Sequence, residues 1–277
     1  MPKFLRKYLP ITTDRSEANS IVNNMIDKVS SGNKVALLVR GKNNANNVIS
    51  KLESEGRKYF NGLFSDTDDI YIKFHRIAVD NFINESGYGK SISKRVIDKV
   101  IAVVEQNKTS ITTDDIQFNS LMKLLKAMFE SVKNSILSRE EKYNKIIFVL
   151  NNNSLKRLMN EIDEDIVLTT IHGSKGLEWD YVYIPEITES QFPHYRALCQ
   201  QCKSSSSGIQ YQNGCKFTFP SHLQERFEEE LSLLYVGITR AKKDVFLFAN
   251  VDKNQNGYPK KRSCLTTLPN LTMNRNF

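Results

Sequence analysis

The chain has 277 residues, 40% of them apolar and 25% charged, with a formal net charge of +8. That length holds one large or two modest domains, each able to bury a core, and its longest apolar runs are strand-sized, too short to span a membrane. The basic excess favours polyanionic partners, nucleic acid first; with only four cysteines and too little apolar length at the N-terminus for a signal peptide, a cytoplasmic location is expected.

In chain order, Asp14-Arg15-Ser16-Glu17 has the form of a capping box and starts a helix. Ala18, Ile21, Val22, Met25, Ile26 and Val29 then recur on one helical face, and Ser30-Ser31-Gly32-Asn33 stops it. Val35 to Val39 is a buried strand left through Arg40-Gly41-Lys42. Ala45, Val48, Ile49 and Leu52 mark a second helix, closed by Gly56. Helix, strand, helix in that order predicts a doubly wound α/β sheet.

From about Asp69 to Glu161 the pattern turns helical. Phe74, Ile77, Ala78 and Phe82 give one helix; Ile92, Val96, Ile97, Val100, Ile101 and Val104 a second; Phe118 to Phe129, entered through Thr113-Asp114, a third. Between the first two lies Gly87-Tyr88-Gly89-Lys90-Ser91. A P-loop would need glycine where Asn84 stands and a strand before it, so the stretch is not an ATP site. Two readings stay open: a glycine hairpin whose N–H groups hold a DNA phosphate at a helix N-terminus, or a plain helix–turn–helix. Asp163-Glu164-Asp165 precedes a hydrophobic strand rather than ending one, so it is expected to be a charged turn and not a Walker B pair.

The next stretch runs from Ile166 to Pro185. A β-branched strand, Ile166 to Thr170, breaks into His172-Gly173-Ser174-Lys175-Gly176 and returns to a strand at Tyr181 to Ile184. The glycines permit positive φ and close backbone approach. Lys175 offers a charge for phosphate, and Glu178 an acceptor for a sugar hydroxyl. Strand, glycine turn and strand is how α/β proteins hold a nucleotide or a nucleic-acid backbone at a sheet edge. Beyond it, Cys199, Cys202 and Cys215 sit in a polar insertion. They are read either as a zinc knuckle completed by His194 or His222, or as free thiols in a flexible segment. Phe227, Leu231, Leu234, Tyr235 and Ile238 then form an apolar helical stripe that delivers Thr239-Arg240 to the sheet before a strand at Val245 to Phe248.

The pair TIHGSKGLEWDYV and EEELSLLYVGITRAKKDVFL resembles motifs V and VI of the UvrD/Rep-type superfamily 1 DNA helicases, and the intervening Gln191-Phe192-Pro193-His194-Tyr195-Arg196 resembles the family's FP-x-R element. The resemblance covers roughly Arg15 to Phe248 and implies the C-terminal half of such an enzyme. The expected fold is α/β: a RecA-like parallel sheet (domain 2A, residues 1–65 and 163–251), interrupted by a helical 2B-like insertion at 66–162 and followed by a C-terminal tail at 252–277, in which Lys260-Lys261-Arg262 is read as a solvated end or an aid to phosphate binding.

By the same resemblance, Arg240 is the arginine finger, and Gly176, Glu178 and Lys175 face the nucleotide. Thr170 and His172 touch the single-stranded DNA backbone, and Gly87, Gly89 and Lys90 correspond to the Gly-x-Gly element with which 2B grips duplex DNA. Arg40 ends a strand as the family's Tyr-Arg does, although Asn43, Asn44, Asn46 and Asn47 depart from the family pattern after it. The implied cofactor is ATP with Mg2+, shared with an N-terminal RecA-like half. The implied partners are that half and single-stranded or forked DNA, with no membrane and with 3′-to-5′ movement. No Walker A or Walker B motif is found, so the chain alone is expected not to hydrolyse ATP. Two alternatives remain at this point: a non-catalytic DNA-binding or regulatory protein derived from a helicase half, and part of a helicase–nuclease of the RecB/AddA kind.

Overall fold

The computed structural model describes residues 7–11, 14–65, 67–188, 191–197, 221–250, 263–267 and 274–275. The chain divides into two compact units, one made of Met1–Tyr59 with Asp165–Phe277 and the other of Phe60–Glu164.

The first unit is built on a parallel sheet. Its strands are β1 (Lys7–Ile11), β2 (Val35–Val39), β4 (Ile166–Thr170), β5 (Trp179–Ile184), β6 (Ala241–Asn250) and the short β7 (Asn274–Arg275). Within the unit they lie in the order β4-β2-β5-β6-β1-β7, and each of these neighbouring pairs is parallel. A parallel sheet needs cover on both faces, which is why its inner strands read as unbroken apolar runs. All five residues of β2 are buried, as are the first four of β4. Each such Val, Leu or Ile contributes about 1.5–3 kcal/mol on leaving water.

Helices α1 (Asp14–Ser30) and α8 (Ser221–Ile238) supply the cover. Consecutive strand residues point to opposite faces. Tyr183 donates its hydroxyl to Asn24 of α1 at 2.6 Å, whereas the side chain of its neighbour Ile184 reaches Gly237 of α8. The two helices therefore lie on opposite faces. Helix α2 (Asn46–Ser54) packs beside α1. Glu17, expected to close a capping box, is buried at 5% exposure and accepts the Glu186 N–H at 3.2 Å, tying α1 to the exit of β5.

Motif V is not a simple strand–turn–strand at one edge. Val39 pairs with Thr170, but Val35 pairs with Tyr181. The chain leaves the C-terminal end of β4, crosses past β2, and enters β5 at the opposite end. Beyond residue 251, Ser263 donates its N–H to Ile187 O at 3.0 Å, Ser263 and Leu265 are fully buried, and β7 extends the sheet beside β1, whereas Lys260, Lys261 and Arg262 lie outside the described residues.

The second unit is helical apart from β3 (Phe60–Asn61). It holds α3 (Asp69–Ser86), α4 (Lys94–Gln106), the short α5 (Lys108–Ile111), α6 (Asp115–Asn134) and α7 (Arg139–Asn151). Asp114 caps α6 by accepting the Ile116 and Gln117 N–H groups at 2.9 Å each. Ser138 and Glu141 form a reciprocal capping box on α7. Edge-to-face packing of Phe74 on Phe118 and the pairing of Phe82 with Phe129 fill its core. Buried His75 is satisfied on both nitrogens, by Tyr71 O at 2.7 Å and by the Leu155 N–H at 3.4 Å.

Candidate nucleotide and nucleic-acid sites

The residues singled out in the first unit fall at two ends of the sheet. At the C-terminal ends of β2 and β4 lie Arg40, Thr170 and His172. The Ile171 N–H binds Val39 O at 2.9 Å, Thr170 Oγ1 accepts the Gly173 N–H at 3.0 Å, and buried Ser174 donates to Ile171 O at 2.7 Å. These bonds shape the turn and leave the His172 side chain at the surface. C-terminal strand ends are where open α/β sheets bind ligands.

Arg40 is not a bare cation. Both terminal nitrogens of its guanidinium donate to the carboxylate of Glu230 on α8, and the guanidinium lies 5.6 Å from the centre of the Phe192 ring. Glu230 is 8% exposed and also accepts the His194 N–H at 3.1 Å. This one carboxylate therefore joins the exit of β2, the Phe192–Arg196 segment and the motif VI helix. Burial, followed by the charge of Arg40, holds the His194 imidazole below its ordinary pKa, with Glu230 opposing.

Sequence reasoning missed Glu230, although a signal was present. Leu223, Phe227, Glu230 and Leu234 share one buried helical line, and a carboxylate on such a line calls for a partner. The expected apolar stripe is displaced accordingly: Tyr235, placed in it, is 68% exposed.

At the other end of the strands lie Glu178 and Arg240, with Lys175 and Gly176 on the segment between the two ends. From the Thr170–Val39 pair to the Trp179–Ala241 pair the sheet extends roughly 20 Å along the strands, at about 3.3 Å per residue. Gly176 has φ of 83°, and a β-carbon there would meet nothing within 4 Å, so the backbone conformation rather than crowding calls for glycine. Lys175 and Glu178 are exposed and form no ion pair with each other.

Among the described residues, Arg240 is positioned by neutral oxygens. Its Nε donates to Val236 O at 3.1 Å, one terminal nitrogen to Leu177 O at 3.4 Å and the other to Thr239 Oγ1 at 3.0 Å. Its own carbonyl accepts the Trp179 N–H at 2.9 Å. Among the described residues no carboxylate neutralises it. The two arginines thus differ in kind: Arg40 has its anion, and Arg240 is held in place with none among the described residues.

In the helical unit, Gly87 ends α3 with φ of 58°, and Lys90 follows in the same left-handed region at 48°. The turn follows a helix and not a strand. Gly89 is exposed; the Lys90 ammonium pairs with Glu140 at 2.8 Å and lies 5.6 Å from the centre of the Tyr143 ring. Glu164 pairs with Lys123 just before β4. Cys199, Cys202 and Cys215 lie outside the described residues. Among those described, no group of three or more metal-ligating side chains is present, and no helix is long and apolar enough to cross a membrane.

The family described as UvrD-like helicase C-terminal domain matches residues 85–252, more than half of the chain. The chain is 34% identical over 107 residues to the ATP-dependent DNA helicase Rep of Buchnera aphidicola, covering 36% of this chain and 12% of that protein. It is 31% identical over 119 residues to DNA helicase II of Rickettsia typhi (41% and 15%), and 33% identical over 82 residues to the ATP-dependent DNA helicase PcrA of Bacillus subtilis (30% and 8%). The aligned part is thus a small share of each of these relatives. With the parallel sheet and the match over most of its length, the chain belongs to the UvrD-like helicase C-terminal domain family.

Proposed function

We propose that the chain is the C-terminal motor half of an ATP-dependent DNA helicase. In this reading the sheet unit is domain 2A, the helical unit is a 2B-like insertion, and the nucleotide is shared with an N-terminal RecA-like half. The observation that carries it is Arg240: a guanidinium fixed by three neutral oxygens, with no carboxylate among the described residues to neutralise it. Phosphoryl transfer to water is promoted mainly by positioning and by neutralising charge as it develops, commonly through an arginine from a second domain. Held this way, Arg240 needs little reorganisation to meet a phosphate. Lys175 adds charge on the same segment, and Glu178 takes the sugar hydroxyl. Mg2+ bound with the ATP would supply further charge neutralisation at the phosphates.

Thr170 and His172, at the far end of the same segment, take the backbone of a single strand. Their link to Glu178 and Arg240 through residues 171–178 supplies the coupling: a shift of that segment on nucleotide closure moves the strand grip, in the 3′-to-5′ sense of the family. Gly87, Gly89 and Lys90 are assigned to duplex DNA at a fork, with Lys90 exchanging Glu140 for phosphate.

The test is Arg240→Ala in the chain combined with its N-terminal half. The expected result is loss of ATPase, on the order of 10³-fold or more, with single-strand binding by the chain retained. Loss of both, or of neither, contradicts the role given to Arg240.

A further inference from the structure

The C-terminal end of the sheet carries a second feature beside Thr170 and His172, and its use rests on the single-strand reading above. Tyr195 is 50% exposed, at the start of a short helical turn, Tyr195–Ala197. One exposed aromatic is ordinary. This one is mounted, with an imidazole on one side and a guanidinium on the other. Phe192 and Ala197 on either side of it are 1% and 3% exposed, and the Ala197 N–H binds His194 O at 2.8 Å. The His194 ring lies 4.3 Å from the Tyr195 ring, centre to centre. Arg196 donates from Nε to the Tyr195 hydroxyl at 3.0 Å and sets its guanidinium 5.5 Å from the ring centre.

The mount joins the strand ends through a continuous set of contacts: His194 N–H to Glu230, Glu230 to Arg40, and Val39 O to the Ile171 N–H beside Thr170. We infer that Tyr195, with His194 and Arg196, is a base-stacking platform that extends the single-strand path beyond Thr170 and His172. An aromatic face with a guanidinium at its edge takes an unpaired base on the ring and the adjoining phosphate on the guanidinium. Every base has a π-face, so the platform is tolerant of sequence.

The experiment measures binding of the full chain to a fluorescent oligodeoxythymidylate of about 16 nucleotides, the upper range for one such groove. Tyr195→Ala is expected to weaken binding by about 5- to 150-fold, the range for loss of one stacked base, and Tyr195→Trp to restore it. On a strand of abasic sites the wild type and Tyr195→Ala should bind alike. Arg196→Ala should lower the slope of log K against log salt by about 0.7, one phosphate on a single strand. The same Tyr195→Ala loss on oligouridylate supports the platform and extends it to RNA. If the wild type binds and Tyr195→Ala binds equally well, or loses as much on abasic strand, the platform is overturned and the strand path at Thr170 and His172 stands. If the wild type binds neither strand, both fall.

Discussion

Glu230→Gln and Arg40→Met, made singly and together, measure how firmly Arg40 is engaged by its carboxylate. Glu230 has a 10% exposed side chain and accepts two guanidinium N–H groups and one backbone N–H, whereas the Arg40 side chain is 26% exposed. Removing one partner of a fully buried pair costs about 3–5 kcal/mol. Water reaches the arginine here, which brings the expected cost of either single change down to about 2 kcal/mol, with a coupling in the double-mutant cycle of about 1–2 kcal/mol. Glutamine keeps an oxygen for the His194 N–H, so the cycle isolates the charge.

The assay is urea unfolding followed by the fluorescence of Trp179, the sole tryptophan, which is 6% exposed in β5 and reports on the sheet unit. A coupling below about 0.5 kcal/mol, the limit for independent sites, would refute the pairing and return Arg40 to the pool of phosphate contacts. Salt dependence provides the cross-check. An engaged Arg40 contributes nothing to counterion release, so Arg40→Met should leave the single-strand salt slope unchanged, whereas a phosphate contact would take about 0.7 from it.

Three further changes test the local physics. Gly176→Ala places a side chain at φ of 83° with nothing to strike, so it should cost about 1–2 kcal/mol by urea titration from backbone conformation alone. Gly237→Val sets a β-carbon 2.9 Å from Ile184 Cδ1 and 3.5 Å from Ile171 Cγ2 between α8 and the sheet. Overpacking of that kind costs about 1–3 kcal/mol; Gly237→Ala should be milder, because alanine gains about 1 kcal/mol of helix propensity. The third change is in pH. Asp180 is held below the ordinary carboxylate range, first by the Lys34 N–H at 3.0 Å and then by Lys243 at 3.1 Å, against burial. Because its folded pKa is lowered, its contribution is present above the unfolded value of about 3.9 and is lost as pH falls through the folded one. His194 is lowered as well, so the stability it confers is present above about 6.5 and is lost on acidification below that. The urea midpoint should decline between pH 7 and 5, and His194→Gln should flatten that decline but leave the acid-side loss below pH about 4.

The central strands were legible because a parallel sheet buried on both faces writes itself as apolar runs, as Val35–Val39 and Ile166–Thr170 do. The three long helices of the second unit were legible from their spacing. Helix α7 was not: Ile146 to Leu150 is an unbroken apolar run that reads equally as a strand, and Phe148 within it is 58% exposed. The capping box at Ser138 and Glu141 was the cue that could have decided it. Strand β1 escaped because its pairing is settled by β6, far along the chain, and KYLPI carries a proline and little alternation. At the site, residue types were readable and their grouping was not. Motif V is continuous in sequence yet runs from one end of the sheet to the other, since β2 lies between its two strands. That separation sets Arg240 apart from Thr170 and brings Glu230 to Arg40, a pairing that depends on where α8 crosses the sheet.

The most direct test of the whole account is ATP hydrolysis, with and without single-stranded DNA, by this chain alone and by its mixture with a matching N-terminal half. The account predicts no turnover by the chain alone and DNA-stimulated turnover in the mixture. Hydrolysis by the chain alone, or a mixture that binds DNA and stays silent, would contradict it.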